Sequence, residues 1–149
     1  MKISKHFNMQ EVVKSQSAIR LGIDNSLPDE LLPYVIDVAE RILEPVREFF
    51  NAPVRVSSWY RSPALNKAIR GSKTSDHCFG CAVDFEVDGI SNKQVAIYIR
   101  DHLKFKQLIL EFYVSGKPNS GWVHCSYLEG RNDKEVLKTS DGKAYKSGL

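Results

Sequence analysis

The segment from Ala82 to Asp88 alternates apolar and polar side chains, and this pattern constrains the fold more than any other feature of the chain. A period of two residues predicts a β-strand with its apolar side chains on one face and its polar side chains on the other. Two later segments, Gln107 to Tyr113 and Trp122 to Tyr127, alternate in the same way. If the strands share a sheet, three polar residues line the face opposite the core: Asp84, Glu111 and His124.

The same parity assigns the core face of each strand. A further short strand is predicted for Val54 to Val56, where two valines flank an arginine. The side chains assigned to the core are Val83, Phe85, Val87, Leu108, Leu110, Phe112, Val123 and Cys125.

A long apolar stripe at helical spacing runs from Leu31 to Phe50 and predicts an amphipathic helix. Ser26 is predicted to cap this helix, because Pro28 and two acidic residues follow it. Pro45 is predicted to kink the helix or end its regular part. Weaker signals predict a helix over Pro63 to Ile69, a helix from Ser91 to about Leu103 and a hairpin turn at Asp141-Gly142. Elements in this order predict an α+β fold with a small, mostly antiparallel sheet flanked by helices.

Length and charge bound the possible functions. The chain has 149 residues, and we expect residues 1–149 to form a single domain and a monomer. Its net charge of +3 is scattered without a basic block, so no nucleic-acid partner is expected. No apolar run is long enough for membrane insertion, and the N-terminus lacks a signal-peptide core, which predicts synthesis in the cytoplasm. The three cysteines are therefore expected to be reduced.

Two histidines and a carboxylate suit one zinc ion. His77 precedes the first alternating strand, and Asp84 and His124 lie on polar faces of predicted strands. Three such ligands leave a zinc ion one open position for water, whose pKa falls to about 7 on the metal. The set predicts one catalytic Zn²⁺ and a metallohydrolase. Asp76 is an alternative carboxylate, but its place beside His77 favours a surface position.

Two further residues complete the predicted chemistry. Hydrolysis of an amide needs a base that takes a proton from water and passes it to the leaving amine. Glu111 is the best candidate, because a carboxylate on the site-facing side of an otherwise apolar strand is costly to desolvate. Arg61 is predicted to bind a substrate carboxylate or the negative charge of the tetrahedral intermediate. The plainer alternatives are a salt bridge for Glu111 and a loop clamp for Arg61.

The cysteine spacing admits other interpretations. Cys78-x-x-Cys81 is compatible with a structural zinc or redox site, but Cys125 is the only further cysteine. A zinc deaminase needs a different order of histidine and cysteines. We therefore predict that Cys81 and Cys125 are small buried hydrophobic residues. Solvated surface positions are expected for His6, His102, Glu86 and Asp88, and Trp59 and Trp122 are either packing residues or substrate walls.

The motif Ser75-x-His77-x-x-Gly80-x-Ala82-x-Asp84 resembles that of the M15 family of zinc peptidases. The runs Trp59 to Asn66, Leu108 to Phe112 and Trp122 to His124 resemble the same family, as do both ends of the chain. The resemblance implies a hedgehog/D,D-peptidase-like α+β fold with one catalytic zinc. It further implies His77, Asp84 and His124 as metal ligands, Arg61 as a substrate-side arginine and Ser75 as a supporting residue.

The resemblance also implies a substrate, the stem peptide of bacterial peptidoglycan. The M15 family contains D-Ala-D-Ala carboxypeptidases and phage endolysins, including endopeptidases of the L-Ala-D-Glu type, and its small phage and prophage members resemble this chain most. Such a protein acts at the bacterial cell wall after release or within a virion. Many M15 enzymes place the catalytic acid three residues before the last histidine, where this chain has Gly121, so Glu111 is assigned that role. This departure leaves a second hypothesis, a non-catalytic zinc-stabilised wall-binding or phage structural module.

Overall fold

Six strands form one mixed sheet in the computed structural model, which describes residues 1–149. The strands are β1 (Val54–Ser58), β2 (Ala82–Val87), β3 (Gln107–Glu111), β4 (Trp122–Ser126), β5 (Glu135–Thr139) and β6 (Lys146–Ser147). Their order across the sheet is β1-β2-β4-β3-β5-β6, and every neighbouring pair is antiparallel except β3 and β5. The predicted α+β fold with a small, mostly antiparallel sheet is confirmed.

Helices pack against one face of this sheet. The α-helices are α1 (Met9–Val13), α2 (Gln16–Leu21), α3 (Leu32–Val38), α4 (Glu44–Phe50), α5 (Pro63–Ala68) and α6 (Asn92–His102). Short 3₁₀ segments cover Asp29–Leu31 and Asp76–Phe79, and a π-helical segment covers Ala39–Leu43. Apolar side chains of α3, α4, α6 and the π-helical segment join those of the strands in one core. None of the helices has the length and apolar character needed to cross a lipid bilayer.

The register of the sheet places polar residues of three strands side by side. Asp84 on β2 is paired with His124 on β4, and His124 is in turn paired with Ile109 on β3. Glu111, two residues along β3 from Ile109, is paired with Trp122. Because alternate residues of a strand share a face, Asp84, His124 and Glu111 lie together on the face opposite the core.

The long helix changes its hydrogen bonding just before a proline. The helical chain runs on from Leu32 to Phe50, but Ala39–Leu43 adopts π-helical geometry and Pro45 is the second residue of α4. Proline has no N–H to donate, and its ring crowds the carbonyl four residues earlier. A wider π turn accommodates that misfit. The predicted interruption of the helix near Pro45 is confirmed.

Two local predictions are wrong. Ser26 does not cap the helix, because the helical chain begins after Pro28, which has no side-chain group to accept a capping hydrogen bond. The backbone N–H of Ser26 donates instead to the carboxylate of Asp24 at 2.9 Å in a local turn. Phe112 does not continue β3 toward the core. The strand ends at Glu111, and Phe112 takes a positive φ of 57°. Its ring lies 5.0 Å from that of Trp122, on the polar face of the sheet.

The C-terminal hairpin contains a strand that the sequence pattern does not reveal. Val136 of β5 packs against the core and its neighbour Leu137 faces the open side of the sheet. Two adjacent apolar residues give no alternation, so the sequence does not predict β5. The turn at Asp141-Gly142 is confirmed, since the Asp141 carboxylate accepts the backbone N–H groups of Lys143 at 2.8 Å and Ala144 at 2.9 Å.

Other local predictions are confirmed. Ser91 caps α6 by accepting the backbone N–H of Gln94 at 3.1 Å. No disulfide forms, and Cys81 and Cys125 are buried as predicted. Burial raises the pKa of Cys81 to about 11, so its side chain remains a neutral thiol at pH 7. Cys78 is half-buried.

Glu44 connects the N-terminal segment to α4, and its loss should destabilise the protein. Its carboxylate accepts hydrogen bonds from the Ser4 hydroxyl at 2.5 Å and the His6 backbone N–H at 2.7 Å. Burial raises the pKa of Glu44, but these hydrogen bonds lower it overall, so their stabilisation is complete at neutral pH and is lost as pH falls through the lowered pKa. We expect Glu44→Ala to reduce the free energy of unfolding by about 1–2 kcal/mol in urea at pH 7. Glu48→Ala, at an exposed position one turn later, should change it by less than about 0.5 kcal/mol; equal losses in both variants would contradict this account.

Candidate active site

His77 is oriented by two contacts on the protein side. Ser75 begins the short 3₁₀ segment, and its hydroxyl accepts the backbone N–H of His77 at 3.2 Å. The ring Nδ1 of His77 donates to the backbone carbonyl of Trp59 at 2.6 Å. Because a carbonyl can only accept, the proton lies on Nδ1 and the neutral ring keeps its lone pair on Nε2. That nitrogen lies 3.4 Å from Oδ2 of Asp84.

Asp84 lies between the two histidines. Its Oδ1 is 2.9 Å from Nδ1 of His124, and the two imidazole rings are 5.2 Å apart. Burial raises the pKa of Asp84, but the charges and hydrogen bonds of His77 and His124 hold it well below its ordinary value. Burial lowers the pKa of His124, and the hydrogen bond and charge of Asp84 raise it overall. Asp84 is therefore an ionised carboxylate at neutral pH.

The three side chains fit a single zinc ion. Each offers one ligand atom, and these atoms all lie within 4.8 Å of one another. Ligand atoms in a tetrahedral zinc site are roughly 3.3–3.6 Å apart, given zinc–ligand distances of 2.0–2.2 Å. The Asp84 carboxylate lies 3.4 Å from His77 through Oδ2 and 2.9 Å from His124 through Oδ1, and both separations are close to that range. The bond from the far nitrogen of His77 to a carbonyl is also typical of zinc-binding histidines, because it fixes the ring and the tautomer.

Glu111 lies beside this group at the end of β3. Its Oε1 is 3.8 Å from Nδ1 of His124, and its side chain is 16% exposed. Burial, followed by the charge of Asp84, raises the pKa of Glu111, although His124 and Arg61 act in the opposite direction. A carboxylate with a raised pKa is a stronger base at neutral pH, which suits proton transfer.

The structure explains why no acid occupies position 121. Gly121 has a positive φ of 66°, and a Cβ there would lie 1.9 Å from the backbone carbonyl oxygen of Glu111. No side chain fits at that distance without moving the backbone. Glu111 presents the carboxylate to the site from the neighbouring strand instead.

Arg61 lies next to His77 and Ser75 in the cleft. Its backbone N–H donates to the carbonyl of His77 at 3.1 Å, and its guanidinium donates to the hydroxyl of Ser75 at 3.3 Å. Its buried Nε has no hydrogen-bond partner within the protein. Ser75 therefore connects Arg61 to His77, and the guanidinium retains unused donors for an anionic group.

All six residues predicted to take part in the chemistry line one open cleft of about 830 Å³. They are Arg61, Ser75, His77, Asp84, Glu111 and His124. Trp122 also lines the cleft, whereas Trp59 is fully buried as a packing residue. Asp76 lies in the cleft too, where Lys106 binds it at 2.8 Å.

The polar residues assigned to the surface have contacts of their own outside this cleft. The carboxylate of Glu86 accepts a hydrogen bond from the amide of Asn92 at 3.1 Å. Asp88 forms an ion pair with Arg55 at the edge strand β1. His6 binds Glu44, and His102 stacks against the aromatic residues of α4 and α6. None of these four residues lines the cleft.

The C-terminal hairpin contributes a wall that sequence reasoning missed. Leu137 and Tyr145 line the cleft, as do Asp133 and Glu135 near the start of β5. The only sequence signal for this wall is the Asp141-Gly142 turn. The turn predicts a hairpin, but it does not predict which strand of the sheet the hairpin pairs with. That β5 runs parallel to β3 follows from the folded structure alone.

Comparison with known proteins agrees with the geometry of the site. No curated protein sequence matches the chain significantly. A family model described as Peptidase M15 matches residues 5–126, which include both histidines, Asp84 and Glu111. That match covers most of the chain, and the chain belongs to the M15 peptidase family.

Proposed function

We propose that this protein is a zinc-dependent peptidase that hydrolyses an amide bond in the stem peptide of bacterial peptidoglycan. The observation that carries the proposal is the convergence of His77, Asp84 and His124 within 4.8 Å, with Glu111 beside them. Membership of the M15 family supports peptidase chemistry. The substrate lies in the cell wall, so we infer that the protein acts there after release or within a virion.

His77, Asp84 and His124 would hold the zinc ion. When bound, zinc supplies a Lewis acid and a water whose pKa is about 7. The protein contributes the arrangement of the ligands, because Trp59 and Ser75 orient His77. Pre-positioned ligands reduce the reorganisation that metal binding requires.

Glu111 is the general base in this proposal. It would take a proton from the attacking water and donate it to the nitrogen of the leaving amine, so one carboxyl group serves both steps. Its raised pKa favours this exchange, since the protonated form is reached at less cost than for an exposed glutamate. The position of Glu111 next to His124 keeps it close to the reacting atoms.

Arg61 would bind an anionic part of the substrate. Arg61 lines the cleft, and Ser75 occupies only one of its donors. A terminal carboxylate at this position would make the enzyme a D,D-carboxypeptidase. A carboxylate within the chain, or the oxyanion of the intermediate, would suit an endopeptidase of the endolysin type.

The proposal is tested by incubating the zinc-loaded protein with purified peptidoglycan and with a synthetic stem pentapeptide. We expect peptide fragments that have gained one water, identified by mass spectrometry, and loss of the reaction after chelation with recovery on adding zinc. Loss of the terminal residue identifies a carboxypeptidase, and cleavage inside the peptide identifies an endopeptidase. A zinc-loaded protein that leaves both substrates intact would overturn the proposal.

A non-catalytic wall-binding or phage structural module is the second candidate. Its support is Gly121, which stands where many M15 enzymes have the catalytic acid. The structure weakens that support, because a side chain at position 121 would clash with the backbone carbonyl of Glu111. Chelation that lowers the melting temperature, together with peptidoglycan binding and no hydrolysis, would favour this candidate.

A further inference from the structure

The C-terminal hairpin forms a wall of the cleft that lies outside the family match. The match ends at residue 126, whereas Leu137 and Tyr145 line the same cleft as Glu111 and His124. β5 runs parallel to β3, and Thr139 at the end of β5 is paired with Glu111. The chain after Thr139 therefore turns at the Glu111 end of the site and brings Tyr145 to it.

The turn that carries Tyr145 is held by its own hydrogen bonds. The Asp141 carboxylate accepts the N–H groups of Lys143 at 2.8 Å and Ala144 at 2.9 Å. The hydroxyl of Thr139 accepts the N–H of Gly142 at 2.9 Å. These contacts leave the segment before Tyr145 little freedom, which is the condition for a precisely placed binding residue.

A strained residue attaches the turn to the floor of the cleft. Phe112 has a φ of 57°, a conformation that side chains with a Cβ rarely adopt. Its ring lies 5.0 Å from that of Trp122 at an angle of 32°. It also lies against Gly142, where an added Cβ would be 3.1 Å from the ring. Such strain persists only where the surrounding structure maintains it, and it is common at ligand sites. Phe112 thereby connects the hairpin to Trp122.

The hydroxyl of Tyr145 is available to a ligand. It donates to the carbonyl of Gly142 at 3.3 Å, a long bond that a better acceptor could replace. The residue is 46% exposed although it lines the cleft. Burial and then the charges of Glu111 and Asp141 raise the pKa of Tyr145, so the hydroxyl keeps its proton at neutral pH.

We propose that Tyr145 binds substrate, its hydroxyl donating a hydrogen bond to a backbone carbonyl oxygen of the peptide at the Glu111 side of the site. Glu111 can only accept when ionised, Lys106 is paired with Asp76, and Arg61 is assigned to an anionic group of the substrate. A peptide bound beside Glu111 needs a donor for its carbonyl, because an unpaired polar group is costly. This inference rests on the proposed peptidase function.

Tyr145→Phe tests the inference, since it removes the hydroxyl and keeps the ring. We expect kcat/KM for the stem pentapeptide to fall roughly 3- to 10-fold, mainly through KM, as one lost hydrogen bond predicts. Zinc content and melting temperature should not change. Tyr34→Phe is the matched control, because Tyr34 is exposed on α3 and does not line the cleft; it should match the wild-type protein.

Binding provides a readout without turnover. In the Glu111→Gln background the intact pentapeptide can be titrated by calorimetry, and adding Tyr145→Phe should weaken its affinity by the same factor. Wild-type kcat/KM and affinity in Tyr145→Phe would overturn the inference and leave the peptidase proposal in place. Function that is lost in Tyr145→Ala but kept in Tyr145→Phe would have the same consequence, because the ring and not the hydroxyl would then be needed. A wild-type protein that neither cleaves nor binds the peptide would overturn both.

Discussion

Replacing Glu111 with glutamine should reduce kcat on the stem peptide by at least about 100-fold, the usual contribution of a general base. Glutamine has nearly the same shape, but its amide cannot take a proton from water at neutral pH. Zinc content should stay at one ion per chain, because Glu111 is outside the group of three side chains that fit the metal. The measurement is steady-state hydrolysis of the pentapeptide, with zinc determined on the same samples.

Glu86→Gln is the matched control for this variant. Glu86 lies on β2, and it accepts its hydrogen bond from Asn92 rather than contacting the cleft. A glutamine there can accept the same bond, so activity should remain at the wild-type level. Wild-type kcat in Glu111→Gln would exclude Glu111 as the general base and would leave the peptidase activity to another group.

The polar face of the site could be predicted because strand parity is a local property of the sequence. Asp84, Glu111 and His124 each alternate with apolar residues, and backbone geometry turns such residues to one side. Parity does not say which strands are neighbours. The pairing of Asp84 with His124 and the place of β4 between β2 and β3 depend on the folded sheet.

Other features could not be predicted because they depend on contacts between distant segments. The strand β5 has its apolar residues on both faces, so only its pairing with β3 identifies it. Phe112 leaves the strand through a left-handed conformation that its residue type does not favour. Gly121 is required because the backbone carbonyl of Glu111, ten residues earlier, lies too close for a side chain. The sequence gives no sign of that contact in space. The wall formed by Tyr145 depends on both β5 and the conformation of Phe112, so the sequence does not predict it.

Replacing Asp84 with asparagine should abolish zinc binding at micromolar metal and, with it, hydrolysis of the stem peptide. The carboxylate lies 3.4 Å from Nε2 of His77 and 2.9 Å from Nδ1 of His124, so it is the only anion within the group of three ligands. Without it, the site keeps two neutral imidazoles, and we expect zinc affinity to fall by at least about 100-fold. The side chain keeps its size, and its amide oxygen can still accept a hydrogen bond from His124.

The difference in melting temperature with and without zinc measures this effect apart from damage to the fold. Zinc that binds only the folded wild-type protein should stabilise it by about 4 kcal/mol at a thousand times its dissociation constant. Asp84→Asn should show no such shift, because it does not bind zinc at this concentration. Any destabilisation of the fold lowers both melting temperatures equally and therefore does not change their difference. Asp88→Asn is the control: Asp88 follows β2 on the same side and pairs with Arg55 at the surface, so its zinc-dependent shift should equal that of the wild-type protein. A full zinc-dependent shift in Asp84→Asn would mean that the metal binds elsewhere, and the assignment of the two histidines as ligands would fall with it.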